Sequence, residues 1–135
     1  MAPREDPLSI VDVRPILLTT PYGIEGAHTR RRSAVFVEVE CSDGVVGIGE
    51  TYAGVYMPEA CAEIVRYFRE WFVGRDAAAI NRAEQDARWI SSYVGRTGLT
   101  VMVLSAIECA LWDAQGQRLG LPVHALLGGS VHDRL

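Results

Sequence analysis

Lysine is missing altogether, because all 13 basic side chains of the 135-residue chain are arginine. A Schiff-base or general-base lysine is therefore excluded from these residues. A basic excess is missing too. Against 17 acidic side chains the net charge is −4 and the pI about 5.3, so neither a nucleic acid nor an anionic membrane surface is expected as a partner. Cysteine is scarce: Cys41, Cys61 and Cys109 are odd in number and contain no C-x-x-C pair. That excludes a disulfide framework and predicts three small buried hydrophobes in a reducing compartment. Long hydrophobic runs are also lacking. The most apolar stretch, Leu99 to Leu111, is interrupted by Ser105 and Glu108 and is too short to span a bilayer. The first seven residues carry no apolar run behind their charges, so no signal peptide is read and a cytoplasmic protein is expected. Length excludes a complete (β/α)₈ barrel, which takes about 250 residues. What is present, 49% hydrophobic and 22% charged residues, is the composition of one packed domain.

The periodicities predict an α+β fold, a three-stranded antiparallel meander followed by a helical bundle. Ile10 to Leu18 reads as a first strand, with Pro15 arguing for an edge position or a bulge. Thr19 to Ser33 has no sustained period and reads as a long loop or ligand-facing flap. In Ala34 to Glu40, Val35, Val37 and Val39 alternate with Phe36, Glu38 and Glu40, the pattern of a half-buried strand. Ser42-Asp43-Gly44 supplies the turn into a third strand, Val45 to Glu50. Pro58 opens a helix carrying Ala60, Ile64, Val65, Phe68, Trp71 and Phe72 and ending by Gly74. Asp76 is the expected N-cap of a second helix, from Ala77 to about Tyr93. Gly95 and Gly98 precede a third, Leu99 to Leu119, with too many apolar residues for one stripe and hence covered on more than one face. Gly120 closes it, and Pro122 begins a short helical turn that ends at Gly128-Gly129.

Three regions gather polar groups. Gly47-Ile48-Gly49-Glu50 leaves a strand as a phosphate cradle would, but the spacing of a dinucleotide fingerprint or P-loop is absent. Close backbone approach at the glycines and a turn anchored by Glu50 is the plainer reading. The flap holds Tyr22, His28 and Arg30-Arg31-Arg32. Guanidinium forks suit carboxylates, and His28 sits on no apolar period that would bury it. In the third helix Glu108 and Asp113 are five residues apart, off a common face, and are assigned to hydrogen bonds with neighbouring backbone. His124 and His132 lack metal-ligand spacing. Cys109 is expected inside the helix core, and no nucleophile and base pair up.

Ser105-Ala106-Ile107-Glu108-Cys109-Ala110-Leu111-Trp112-Asp113-Ala114-Gln115-Gly116, continued by Leu119-Gly120-Leu121-Pro122 and Leu126-Leu127-Gly128-Gly129, closely resembles the helix and turn that close the N-terminal domain of the enolase superfamily, mandelate racemase/muconate lactonizing enzyme branch. Asp43-Gly44-Val45-Val46-Gly47-Ile48-Gly49-Glu50 is similar to the second hairpin of that branch. The resemblance runs over residues 8–135 in element order.

It implies a capping domain, residues 8–129, preceded by an extended N-terminus, 1–7, and followed at 130–135 by the start of a linker to a (β/α) barrel that these residues do not contain. In that family the barrel supplies three acidic ligands to Mg²⁺ and Lys or His bases that remove the proton α to a carboxylate. No catalytic residue or metal ligand is expected in this segment, which alone would be inactive. Two loops of the cap select substrate, and they correspond to Thr19–Ser33 and Thr51–Tyr56. The substrate-binding residues so implied are His28, Tyr22, Arg30, Arg31, Tyr52 and Tyr56. Gly26-Ala27-His28 is similar to the flap of glucarate dehydratase-like members, where a His binds an acid sugar, whereas the arginine run departs from it. The implied function is that of an acid-sugar dehydratase working as a homo-oligomer, with racemase or cycloisomerase as the alternative within the family. A stand-alone interaction module, its apolar third helix serving as a partner surface, is the alternative outside it.

Overall fold

The computed structural model describes residues 8–22 and 31–132. Strands β1 (Ile10–Pro21), β2 (Arg31–Cys41) and β3 (Val46–Thr51) form an antiparallel sheet in the order β1-β2-β3. A 3-10 turn, Tyr52–Val55, leads into helices α1 (Pro58–Phe72), α2 (Ile80–Ile90), α3 (Leu99–Leu119) and the single turn α4 (Val123–Leu126). The α+β order and the meander match the periodicity.

Helices cover one face of the sheet. Val13, Val35, Val37 and Val39, all fully buried, point into that layer, while Phe36, Glu38 and Glu40 take the other side, as alternation demands. Val65, Phe68 and Phe72 of α1 and Val103, Leu104, Ile107 and Leu111 of α3 complete the core. Helix α3 touches the sheet, both long helices and α4, which is why its apolar residues exceed one stripe. Gly120 ends it in the left-handed conformation, with φ +63°.

The sheet edges are protected by different means. On β1, the Ile10 amide donates to the Arg75 carbonyl at 2.9 Å and its carbonyl accepts from the Gly74 amide at 2.8 Å, which covers the start of the free edge. Further along, Pro15 and Pro21 have no N–H to present, and the amide of Val13 donates to Asp12 Oδ1 at 2.9 Å. Few donors are left for strand addition, so the edge position read from Pro15 holds. On β3, the edge is closed by α3. The amide of Ile48 donates to Asp113 Oδ2 at 2.9 Å, and Gln117 Nε2 donates both to the Val46 carbonyl at 2.9 Å and to Asp113 at 2.8 Å. This is the backbone-binding role expected of Asp113. Replacing it with Ala leaves the Ile48 amide without its acceptor, at a cost of about 1 kcal/mol. Hydrogen exchange at that amide is expected to rise towards the unprotected rate, and Asp113→Asn, which keeps an oxygen, to retain part of the protection.

Gly47 and Gly49 set the distance between β3 and α3. A Cβ on Gly47 would lie 1.9 Å from the Ala110 carbonyl oxygen, and one on Gly49 2.0 Å from that of Ala106. Close backbone approach is therefore what these glycines permit, and Ala106, Ala110 and Ala114 are the matching small residues on the helix.

Five sequence expectations are corrected. The flap is shorter than Thr19–Ser33, because its ends are strand: Thr19 pairs with Ser33, Thr20 with Arg32 and Pro21 with Arg31. Cross-strand contacts, including the Thr19 and Ser33 hydroxyls 3.0 Å apart, extend the hairpin where hydrophobic period gives no signal. Asp76 does not cap α2. It bridges to Ser9 and accepts from the Ala78 amide, and the helix starts four residues later, at Ile80. Trp71 is 39% exposed, because Phe68 and Phe72 occupy the inward positions of that turn. Glu50 anchors no turn; it is a strand residue paired with Phe36. Cys109 is exposed, whereas Cys41 and Cys61 are buried. The faces of α3 that meet the sheet and helices are already filled by Ala106, Ile107, Ala110 and Leu111, which turns Cys109 outward.

Candidate functional site

The tips of all three strands and the 3-10 turn converge at one end of the sheet. They line an open cavity of about 610 Å³ formed by Leu17, Leu18, Thr19, Thr20, Arg32, Ser33, Ala34, Glu50, Tyr52 and Val55. Its apolar floor of leucine, alanine and valine and its few hydroxyl and charged groups fit a small polar ligand. Strand geometry produces this arrangement. The long β1–β2 ladder carries Thr20 and Arg32 beyond the body of the sheet, and the 3-10 turn after Thr51 folds Tyr52 back beside them.

Four of the six implied substrate-binding residues lie within the described structure, and they are not equivalent. Tyr52 lines the cavity. Tyr56 stands beside it, with the two hydroxyls 3.3 Å apart and the rings edge to face at 5.8 Å. Both rings are exposed, by 66% and 65%. The hydrogen bond that the Tyr56 hydroxyl makes with Tyr52, reinforced by charge repulsion between the two phenolates, pushes the Tyr56 pKa above its ordinary value. Each hydroxyl can both donate and accept a hydrogen bond. Tyr22 packs under Arg32, whose guanidinium carbon is 5.8 Å from the ring centroid, a cation–π contact.

Arg31 is engaged elsewhere. Its Nη1 and Nη2 donate to Oε1 and Oε2 of Glu59, in the first turn of α1, at 2.7 and 3.0 Å. That bidentate pair holds the Glu59 carboxyl below its ordinary value. A lowered folded-state pKa stabilises the fold above the unfolded pKa, and the contribution disappears as pH falls through the folded value. Arg31→Gln is accordingly expected to move the Glu59 midpoint in a carbon-detected NMR titration back up towards the ordinary glutamate range, with no change in the midpoints of distant carboxylates. His28 and Arg30 lie outside the described residues.

Arg32, Glu50, Thr19 and Thr20 are cavity residues that the implied set omits. The period-two alternation of β2 is the signal that separates Arg32 from Arg31, once the strand is known to begin before Ala34. Among the described residues no group of three or more His, Cys, Asp or Glu side chains could hold a metal ion. No helix among them is long and apolar enough to cross a membrane.

The sequence profile of the mandelate racemase / muconate lactonizing enzyme N-terminal domain matches residues 8–128. The "Probable glucarate dehydratase" of Streptomyces coelicolor is 36% identical over 149 aligned positions, covering 96% of this chain and 33% of that protein. Muconate cycloisomerase 1 of Pseudomonas putida is 41% identical over 116, covering 80% of this chain and 29% of that one. The magnesium-complexed structure of a mandelate racemase/muconate lactonizing protein from Paracoccus denitrificans superposes with a TM-score of 0.76 at 27% identity, over 95% of this chain and 32% of that one. The chain thus spans about a third of the length of the curated relatives it matches. With the meander, the helical layer and these likenesses in agreement, the chain belongs to the mandelate racemase/muconate lactonizing enzyme branch of the enolase superfamily, as its N-terminal domain.

Proposed function

We propose that residues 8–129 form the substrate-capping domain of an enzyme that removes the proton α to a carboxylate. Residues 130–135 begin the connection to a catalytic barrel, and the complete protein works in the cytoplasm as a homo-oligomer. The observation that carries this reading is the cavity of about 610 Å³ at the strand tips. It is built from the paired ends of β1 and β2 and from Glu50, Tyr52 and Val55 at the end of β3 and in the turn after it, next to the two loops that the family uses to cover substrate. Similarity to a dehydratase over nearly the whole chain supports the dehydratase class.

Abstracting an α-proton from a carboxylate creates a second negative charge on the same group, so the reaction needs a cation at the developing oxyanion. The described residues provide no metal site, and Mg²⁺ and the bases are assigned to the barrel. The part taken by this chain is binding. Thr19, Thr20 and Tyr52 offer hydroxyls, Glu50 an acceptor and Arg32 a cation, a set that suits a polyhydroxy acid. Together with Tyr22 and Tyr56, they would hold the substrate and exclude water from it; His28 and Arg30 are proposed as further substrate-binding residues, whereas the Arg31 guanidinium is taken up by Glu59. Among dehydration, racemisation and cycloisomerisation, loss of the β-hydroxyl is proposed. The likeness to a muconate cycloisomerase keeps cycloisomerisation as the second reading.

The test is turnover by the complete protein, with Mg²⁺, of a panel of aldonic and aldaric acids. Release of a 2-keto-3-deoxy product supports the dehydratase reading. Conversion without loss of water replaces it with the second reading, and no turnover of any acid sugar removes it.

A further inference from the structure

Arg31 and Arg32 are adjacent in sequence but project from opposite faces of β2, because successive strand side chains alternate. Arg31 lies on the helical face with the buried Ser33 and Val35, and both of its terminal nitrogens are taken up by Glu59. Arg32 lies on the open face. Its guanidinium sits over the Tyr22 ring and lines the cavity together with Thr20, Glu50 and Tyr52. Among the described residues no carboxylate lies within ion-pairing distance of it.

We propose that Arg32, and not Arg31, is the specificity-determining cation of this cavity. It would read two neighbouring oxygen atoms at the end of the substrate remote from the reacting carboxylate. The proposal rests on the capping reading above and deepens it. A guanidinium presents a planar fork of donors whose spacing suits paired oxygens, whether they belong to a second carboxylate or to a vicinal diol. Contact with the Tyr22 ring restricts the Arg32 side chain before binding, so less rotamer freedom is lost when a ligand arrives. Glu50, the carboxylate among the described lining residues, accepts from substrate hydroxyls in the same cavity. Arg31 then has a different role: it ties the root of β2 to the start of α1.

The experiment compares the wild-type complete protein with Arg32→Gln, Arg32→Lys and Arg31→Gln. Calorimetric binding is measured for aldonates, aldarates and a non-sugar dicarboxylate. For whichever of these binds the wild type, Arg32→Gln is expected to raise Kd about 10- to 100-fold. Arg32→Lys should recover part of the loss, since it restores charge without the fork. Arg31→Gln should leave Kd within about twofold and lower the melting temperature instead. A loss confined to the diacids identifies a second carboxylate as the group read, and a loss shared by the aldonates identifies a diol. An unchanged Kd in Arg32→Gln overturns the proposal. So does an equal loss in Arg31→Gln, or a wild type that binds none of the three classes. If only the non-sugar dicarboxylate binds, the acid-sugar reading falls, whereas Arg32 is still judged by its own variant.

Discussion

Gly49→Ala is expected to destabilise the domain by about 3 kcal/mol or more, at the upper end of what overpacking costs. The added Cβ would fall 2.0 Å from the Ala106 carbonyl oxygen, 2.9 Å from the Ala110 nitrogen and 3.0 Å from the Ala106 carbonyl carbon. All three are backbone atoms of α3, so no side-chain rotation relieves the clash and the helix must move as a body. Moving it also disturbs Val103, Ile107 and Leu111, which are buried to within 1%, and loosens the Asp113 and Gln117 bonds to the edge of β3. For a domain of this size the loss amounts to a fall of roughly 10–15 °C in melting temperature. Gly47→Ala, whose Cβ would fall 1.9 Å from the Ala110 carbonyl oxygen, should behave alike. The double variant should lose less than the sum, because a helix lifted by one clash partly clears the other. Denaturant unfolding of the three variants checks both statements.

Phe68→Ala is expected to cost about 3–5 kcal/mol, the range for truncating a fully buried aromatic. Phe68 has no exposed surface. It meets the Tyr67 and Phe72 rings edge to face, at 5.3 and 6.4 Å between centroids, and it belongs to the cluster that joins α1 to the buried valines of the sheet. Nothing nearby is free to fill the space, since Val13, Val37 and Val65 are fully buried in the same layer. Phe68→Leu, which keeps most of the volume, should recover at least half of the loss. Trp71, one turn further along α1 and 39% exposed, provides the contrast: Trp71→Ala should cost under about 1 kcal/mol. Equal losses at Phe68 and Trp71 in equilibrium unfolding would contradict the assignment of the buried face of α1.

Where hydrophobic period is strong, the sequence states the fold. The alternating valines of β2, the proline that opens α1 and the glycine that closes α3 each act within a few residues, and each is found where the pattern places it. The glycines of β3 are legible as points of close approach, but their partner is not, because Ala106 and Ala110 are some sixty residues away and look like ordinary helix formers. The misreadings share a cause, which is competition from non-local contacts. The tips of β1 and β2 are too polar to show alternation, so their pairing depends on cross-strand partners. Asp76 has the chemistry of an N-cap, yet its backbone is drawn into a bridge with Ser9. Cys109 is turned outward by the crowding of the buried side of α3.

The candidate site shows the same division. Tyr52 lines the cavity and Tyr56 stands beside it. The adjacent arginines were indistinguishable until the strand supplied its alternation and Glu59 its pairing with one of them. Charge and residue type nominate a basic flap; backbone geometry alone decides which guanidinium enters the cavity.

The central claim, that this chain covers a carboxylate from which an α-proton is removed, is tested most directly by incubating the complete protein with Mg²⁺ in deuterated water. Proton NMR of each acid of the panel then reports the fate of the α-hydrogen. The account predicts that the α-hydrogen resonance disappears for at least one acid sugar, with appearance of a 2-keto-3-deoxy product. An α-hydrogen that persists undiminished in every carboxylate tested would contradict it.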